Sequence, residues 1–262
     1  MSWINPHPFV QEGDLVELAS TQVKFFIIRV VNGAELQTHR GVVRHDDLIG
    51  KPWGTEIESH KGSPFFIMQP SITDIISSTK RNTQILYPKD IGYILLRLNI
   101  IPGSLVAEAG SGSGCFTQIL AAMVGETGHV HSYEVRPEMI SLAQKNISRL
   151  DLQHRVTFHQ QDITSGFDFN NLNAIFLDLP NPYDYIEQVR ESLTPGAFFG
   201  SLLPTSNQVS KTIISLRRNR FVFIDVCEIL LRFYQAESEK FRPVDRMVAH
   251  TGYLIFARSV LD

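Results

Sequence analysis

The chain holds only two cysteines, Cys115 and Cys227, in 262 residues. They form neither a Cys-x-x-Cys pair nor a zinc-ligand spacing, so a disulfide scaffold and a cysteine metal site are excluded. A reducing cytoplasmic setting suits them, and no metal is expected. Charge of one sign is also scarce. The 24 Lys and Arg against 27 Asp and Glu leave a formal net charge of −3. That excludes an overall basic nucleic-acid binder, though not a basic patch on one face. No apolar run reaches the ~20 residues of a membrane span. The stretch from Tyr93 to Ile101 is broken by Arg97 and Asn99, so no membrane role is expected. The first residues, MSWINPHPFVQEGD, lack the basic start and apolar core of a secretory signal. Internal repeats and low-complexity tracts are missing too. What remains is a chain with 43% hydrophobic residues, enough to fill the core of one large or two modest domains.

Residues 1 to about 70 read as short strands at 15–18, 24–31, 41–44 and 65–68, separated by Gly, Asn, Asp and Pro. This predicts a small β-rich, barrel-like domain over 1–70, followed by a larger one over 71–262. Ser71-Ile72-Thr73-Asp74 has the form of a capping box opening a linker helix. Pro88 and Asp90 suit the first turn of a second helix, whose Ile91, Ile94, Leu95 and Leu98 follow i, i+3, i+4, i+7 spacing. Strands then alternate with helices at roughly 104–109, 129–134, 155–160, 173–178, 197–203, 221–231 and 248–258, with only a loop between the last two. The pattern predicts an α/β fold: a seven-stranded, mostly parallel, Rossmann-like sheet covered by helices on both faces, with an antiparallel final pair.

The most informative stretch is Val106-Ala107-Glu108-Ala109-Gly110-Ser111-Gly112-Ser113-Gly114. Glycines at alternate positions let a backbone take unusual φ values and lie flat against a ligand. Cys115, Phe116, Ile119, Leu120 and Met123 continue at helical spacing, so the order is strand, turn, helix. A dinucleotide fold expects G-x-G-x-x-G with a pyrophosphate at the helix N-terminus. Here the spacing is G-x-G-x-G, and Glu108 would repel a pyrophosphate while suiting an ammonium and a sulfonium. S-adenosyl-L-methionine is therefore favoured over a nicotinamide cofactor.

In open parallel sheets ligands lie beyond the carboxyl ends of the strands. Glu108, Glu134, Asp162 and Asp178 end the first four predicted strands of this sheet. Glu134, about twenty residues past the turn, stands where a carboxylate accepts both ribose hydroxyls. Gln161 and Asp162 could meet the adenine, and Asp178 would point into the reaction pocket. Each acid alone reads equally as a helix cap or a solvated loop residue. The series of four is what carries weight.

With these elements in place, the chain is similar to the tRNA (adenine-58, N1)-methyltransferase family over nearly its whole length. The resemblance rests on Lys80-Arg81-Asn82-Thr83-Gln84-Ile85-Leu86-Tyr87-Pro88-Lys89-Asp90, the glycine turn at 108–114, Leu177-Asp178-Leu179-Pro180-Asn181-Pro182-Tyr183, and Arg242-Pro243-Val244-Asp245-Arg246-Met247-Val248-Ala249-His250-Thr251-Gly252. It implies a tRNA substrate methylated at N1 of adenine 58, Gln84 and Tyr87 beside the cofactor's methionine end, and Arg246, His250 and Thr251 at the substrate edge or a subunit contact. It also implies a homotetramer. The glycine turn is common to many methyltransferases, whereas the first and last blocks are diagnostic. Two departures stand out: Tyr183 where the family has Trp, and Ala197-Phe198-Phe199-Gly200-Ser201-Leu202-Leu203-Pro204 in place of a run ending in Tyr before Pro.

N1 of adenine already carries a lone pair, so methyl transfer needs alignment more than acid–base chemistry. Asp178 is the candidate catalytic residue: it would accept from the exocyclic amine and stabilise the positive ring formed by attack. Tyr183 would stack on the extruded base or cover the pocket. Lys80, Arg81, Lys211, Arg217, Arg218, Arg220 and Arg242 are candidate phosphate contacts. Two further readings stay open at this level. One is methylation of an exocyclic adenine amine, because Asp178 to Tyr183 approaches an Asp-Pro-Pro-Tyr loop with Leu179 inserted. The other is a non-catalytic RNA-binding subunit, which the intact glycine turn and strand-end acids disfavour.

Overall fold

A computed structural model describes residues 7–20, 25–81 and 86–261. The chain divides into two compact units, Met1–Lys80 with Arg149–Asp151, and Arg81–Ser148 with Leu152–Asp262. The boundary follows Lys80, not residue 70, because Ser71 caps a helix that belongs to the first unit.

In the first unit, β1 (Leu15–Ala19) pairs antiparallel with β2 (Phe25–Arg29) and with β6 (Pro64–Met68), which pairs with β5 (Glu56–Glu58). A separate hairpin joins β3 (Glu35–Thr38) to β4 (Gly41–Arg44). Among the described residues the pairings form an open sheet and a hairpin around Val10, Val16, Leu18, Val30, Val43, Leu48, Phe65 and Ile67. Strands β3 and β5 escape sequence reading because Glu-Leu-Gln-Thr and Glu-Ile-Glu carry one apolar residue each. The expected capping box is formed at α1 (Ile72–Ser78). Ser71 Oγ accepts from Asp74 N at 3.2 Å, and Asp74 accepts from Ser71 N at 2.9 Å.

The second unit opens with α2 (Pro88–Arg97), which has Pro at its first turn. There follow β7 (Leu105–Ala109), α3 (Cys115–Met123), β8 (His129–Tyr133), α4 (Pro137–Ser148), β9 (Val156–His159), β10 (Leu172–Leu177), α5 (Ile186–Ser192), β11 (Leu193–Leu203), α6 (Ser206–Arg218), β12 (Phe221–Cys227) and β13 (Tyr253–Ser259). Seven strands form one sheet in the order β12-β13-β11-β10-β7-β8-β9. All neighbours are parallel except at β13, which runs antiparallel to both β11 and β12. Ala174, Ile175, Phe176 and Leu177 of β10 are fully buried, as a central parallel strand with both faces covered requires. Phe176 meets Phe116 of α3 edge-on, with ring centroids 5.1 Å apart.

The last two strands are shorter than their apolar pattern predicts. Residues 228–231 and 248–252 leave the ladder, and Leu230, Leu231 and Val248 face outward. The intervening segment carries a bridge between Tyr234 and Pro243, a short 3-10 turn at Ser238–Lys240 and a 5.1 Å stack of Tyr234 on Phe241. Apolarity there signals an exposed surface and not a strand core.

Strand order reverses between β7, which leads to β8 and β9, and β10 on its other side. Such a switch point opens a crevice at the strands' carboxyl ends. Phe176→Ala should lower unfolding stability by about 3–5 kcal/mol. Urea denaturation would read this as a lower midpoint with unchanged slope, and an unaltered midpoint would contradict the packing assigned to β10.

Candidate active site

The switch point is closed tightly around backbone. Asp178 N donates to Ala109 O at 2.9 Å. Gly110, at φ +94°, lies so near that an added Cβ would stand 2.3 Å from the Asp178 carbonyl oxygen. Gly114, at φ +74°, precedes α3 and faces Ala143 of α4, whose Cβ would be 2.7 Å from an added one. The glycines at these positions are steric necessities.

Most N–H groups of the turn are already bonded, chiefly to Tyr133 and Glu134 at the end of β8. Gly110 and Ser111 donate to Tyr133 O at 2.9 and 3.2 Å, Gly114 to Ser111 O at 2.8 Å, and Gly112 to the Glu134 carboxylate at 3.1 Å. A pyrophosphate cradle needs those donors free, so the turn does not suit a dinucleotide. Ser111 Oγ lies 2.5 Å from Ser132 Oγ, while the Ser113 hydroxyl is buried without a hydrogen-bond partner among the described residues.

The four strand-end acids separate into three environments. Glu108, 1% exposed, sits beneath the turn and lines neither cavity described below. Its carboxyl accepts from Thr117 at 2.6 Å and Ser132 at 2.8 Å, bracing α3 against β8. Burial pushes its pKa up to about 8, against the lowering effect of both hydroxyls. The Glu108 side chain is directed at Thr117 and Ser132, away from both cavities.

Glu134 and Asp162 share a cavity with Ala109, Gly110, Tyr133, Val135, Gln161, Ile163, Leu179, Pro180 and Tyr185. Burial works to raise the pKa of Glu134, but the Arg136 guanidinium and nearby N–H groups outweigh it and hold the carboxyl below its ordinary value. Asp162 caps a 3-10 turn, accepting from Thr164 N at 2.7 Å, and bonds from Thr164 lower its pKa. Its capping and pocket-lining roles coexist.

A second cavity gathers Asp178 with Leu86, Tyr87, Asp90, Leu202, His250 and Thr251. Asp178 is exposed to this cavity, yet the protein atoms crowded around its carboxyl displace enough water to raise its pKa to about 6. Two chain segments remote in sequence meet here. Lys89 Nζ, on a side chain 7% exposed, donates to both Asp90 oxygens at 2.8 and 3.0 Å and to Thr251 Oγ1 at 2.6 Å. Thr251 in turn donates to Asp90 at 2.9 Å. His250 bonds Glu228 at 2.8 Å and Pro204 O at 3.2 Å, and the Glu228 carboxylate raises its pKa.

Two of the expected substrate-side residues lie elsewhere. The Tyr183 ring faces α6, with Lys211 Nζ 5.1 Å from its centroid, and lines neither cavity because its 3-10 turn packs on that helix. Arg246 is exposed and also lines neither. Gln84 falls outside the described residues. Sequence reasoning missed Tyr133 and Tyr185, and Lys89 and Asp90 as site residues. The last two were legible inside the diagnostic block ending in Asp90, but their partner Thr251 lies over 160 positions away.

The family described as tRNA methyltransferase complex GCD14 subunit matches residues 66–245, and one described as TrmI-like N-terminal matches 8–57. The tRNA (adenine(57)-N(1)/adenine(58)-N(1))-methyltransferase TrmI of Methanocaldococcus jannaschii is 33% identical over 253 residues, covering 87% of this chain and 89% of that protein. Among solved structures, tRNA (m1A58) methyltransferase TrmI from Aquifex aeolicus shares 37% identity with a TM-score of 0.81, covering 97% of this chain and 100% of that one. A Thermotoga maritima protein described as a SAM-dependent O-methyltransferase shares 38% identity with a TM-score of 0.89, covering 97% and 96%.

Glu108 generates a pH test. Unfolded it titrates near 4.5 and folded near 8, so its contribution is complete below the lower value and is lost as pH rises through the upper. Glu108→Gln keeps an acceptor for both hydroxyls but does not titrate. Its stability relative to wild type should therefore improve from pH 5 to pH 8 in matched unfolding series. Glu17, raised to about 7 mainly by burial, is common to both proteins and cancels. A constant difference across that range would refute the assignment.

Proposed function

We propose that this chain, which belongs to the tRNA (adenine-58, N1)-methyltransferase family, transfers a methyl group from S-adenosyl-L-methionine to N1 of adenine 58 in the T-loop of tRNA. One observation carries the reading. The two most diagnostic sequence blocks are hydrogen-bonded together, through Lys89, Asp90 and Thr251, as a wall of the cavity into which Asp178 opens.

The cavity of Glu134, Gln161, Asp162, Tyr133 and Tyr185 would take the adenosine of the cofactor, with Glu134 toward the ribose. Tyr87 would lie toward the methionine end, and Gln84 is retained there on the family resemblance. Gly110, Ser111, Gly112, Ser113 and Gly114 would supply the close backbone approach. When bound, the cofactor supplies an electrophilic methyl on sulfur. Everything else falls to the protein. Asp178 would accept from the adenine amino group, orient N1, and offset the ring charge that attack creates. It would also reject a base that has an oxo group at that position, since two acceptors would then face each other.

Methylation of the exocyclic amine is less well supported, because that loop chemistry wants its aromatic residue over the base and Tyr183 is engaged with Lys211. An oxygen acceptor, as in the Thermotoga description, would require a group to take a hydroxyl proton, which N1 attack does not. The RNA must also be gripped after its adenine leaves the stack, at a cost of a few kcal/mol. Lys211, Arg217, Arg218 and Arg220 are exposed along α6 and its end and would serve. A homotetramer is in keeping with the outward-facing Leu230, Phe233, Tyr234, Phe241 and Val248. Light scattering at micromolar concentration would test it, a monomer being the contrary result.

The decisive experiment is methyl transfer from labelled cofactor to unmodified tRNA, with products mapped by nucleoside mass spectrometry. N1-methyladenosine at position 58 is expected; 2′-O-methyl or N6-methyl products would redirect the assignment. Asp178→Asn should lower kcat by about 10²–10³. Because the ionised carboxylate is the useful form, the wild-type rate should rise with pH through about 6, and the variant should lack that limb.

A further inference from the structure

Glu134 has more donors than a carboxylate has places. Its Oε1 accepts from Val135 N at 3.0 Å, Arg136 N at 3.1 Å and Arg136 Nε at 3.0 Å. Its Oε2 accepts from Gly112 N at 3.1 Å and Arg136 Nη2 at 2.9 Å. A carboxylate offers about four lone-pair positions, so five donors leave none vacant. A ribose would bring two more hydroxyls to the same oxygens. Three of the five donors are backbone N–H groups of the glycine turn and of the residues after β8, and they cannot leave without unmaking the turn. The other two belong to one guanidinium whose side chain is 48% exposed.

We infer that the Arg136 side chain is a displaceable placeholder in the ribose subsite, holding the acceptor positions of Glu134 until the two hydroxyls of a cis-diol take them. The inference rests on the reading that this cavity receives the adenosine of the cofactor. A guanidinium edge presents two near-parallel donors, much as a cis-diol does, so the exchange conserves the hydrogen bonds of the carboxylate. Without a ligand, the arginine keeps a nearly buried charge paired and aimed. Departure is inexpensive, because the two hydroxyls take over the positions on the buried carboxylate while the guanidinium, on a half-exposed side chain, is rehydrated. A ligand without the diol leaves the ion pair intact and gains nothing from Glu134. Glu134 would thus select ribose over deoxyribose nucleosides, and Arg136 would moderate that preference by competing with the diol.

The test measures binding of S-adenosylhomocysteine and of its 2′,3′-dideoxy counterpart by calorimetry to wild type, Arg136→Met and Arg136→Lys. With the competitor removed, Arg136→Met should bind S-adenosylhomocysteine about three- to tenfold more tightly, with the dideoxy ligand unchanged. Arg136→Lys, which keeps one donor cluster without the fork, should fall between. Weaker binding of S-adenosylhomocysteine by Arg136→Met would make the arginine a support and overturn the inference. Equal tightening of both ligands would reduce it to a general charge effect and overturn it as well. Failure of wild type itself to bind S-adenosylhomocysteine would instead strike at the cofactor reading. Melting curves of the unliganded variants separate these outcomes from misfolding. Should Arg136→Met prove unfolded, Arg136→Lys alone decides by the ratio of its two dissociation constants.

Discussion

The site depends on the place where β7 and β10 end side by side. There the carbonyl of Asp178 occupies the space that a side chain at residue 110 would need, 2.3 Å from an ideal Cβ, while Asp178 N is bonded to Ala109 O at 2.9 Å. Only glycine satisfies both conditions at a positive φ. Once this approach is made, the turn from Gly110 to Gly114 folds back on Tyr133 and Glu134, and α3 starts where Gly114 clears Ala143. Asp178 is carried to the mouth of the crevice by the same contact. The cofactor side and the acceptor side of the site thereby share one rigid junction.

Burial and partners then give chemically similar acids different work. Glu108 and Glu134 are both nearly buried, yet one sits among hydroxyls and is pushed up to about 8, while the other meets a guanidinium and three N–H groups and is held low. Asp178 lies between these extremes at about 6, partly desolvated at the cavity and with no cation bonded to it among the described residues. A buried acid with hydroxyl partners is a brace, one paired to an arginine is a fixed anion, and one facing a cavity is free to respond to an incoming base. The Lys89, Asp90 and Thr251 cluster adds a further acid whose charge is neutralised internally, so it shapes the wall without competing with Asp178 for a cationic ring.

The features visible in the sequence are those with a local cause. Alternate glycines after an apolar strand, the Ser71 to Asp74 capping box, Pro88 in a first turn and the alternation of strands and helices each depend on neighbours within a few residues, and each is realised. Strands β3 and β5 were hidden by their polarity, and the final strand pair was overextended because Leu230, Leu231 and Val248 are apolar and yet exposed.

Side-chain direction was beyond the sequence. Glu108 at a strand end, next to the glycines, reads as a ligand contact, and only the packing of Thr117 and Ser132 turns it inward. Tyr183 and Tyr185 are two positions apart, yet the turn that packs on α6 sends the first toward Lys211 and leaves the second in the cavity. Lys89 and Thr251 have no relation in sequence until the sheet brings α2 and the start of β13 together. The sequence by itself determined the order of elements, the glycine turn and the family, because short-range sterics and periodicity are written in adjacent residues. The tertiary structure decided which acids face the cavities, which are spent on the scaffold, and how Arg136 fills Glu134, because those outcomes depend on contacts between distant or freely rotating side chains.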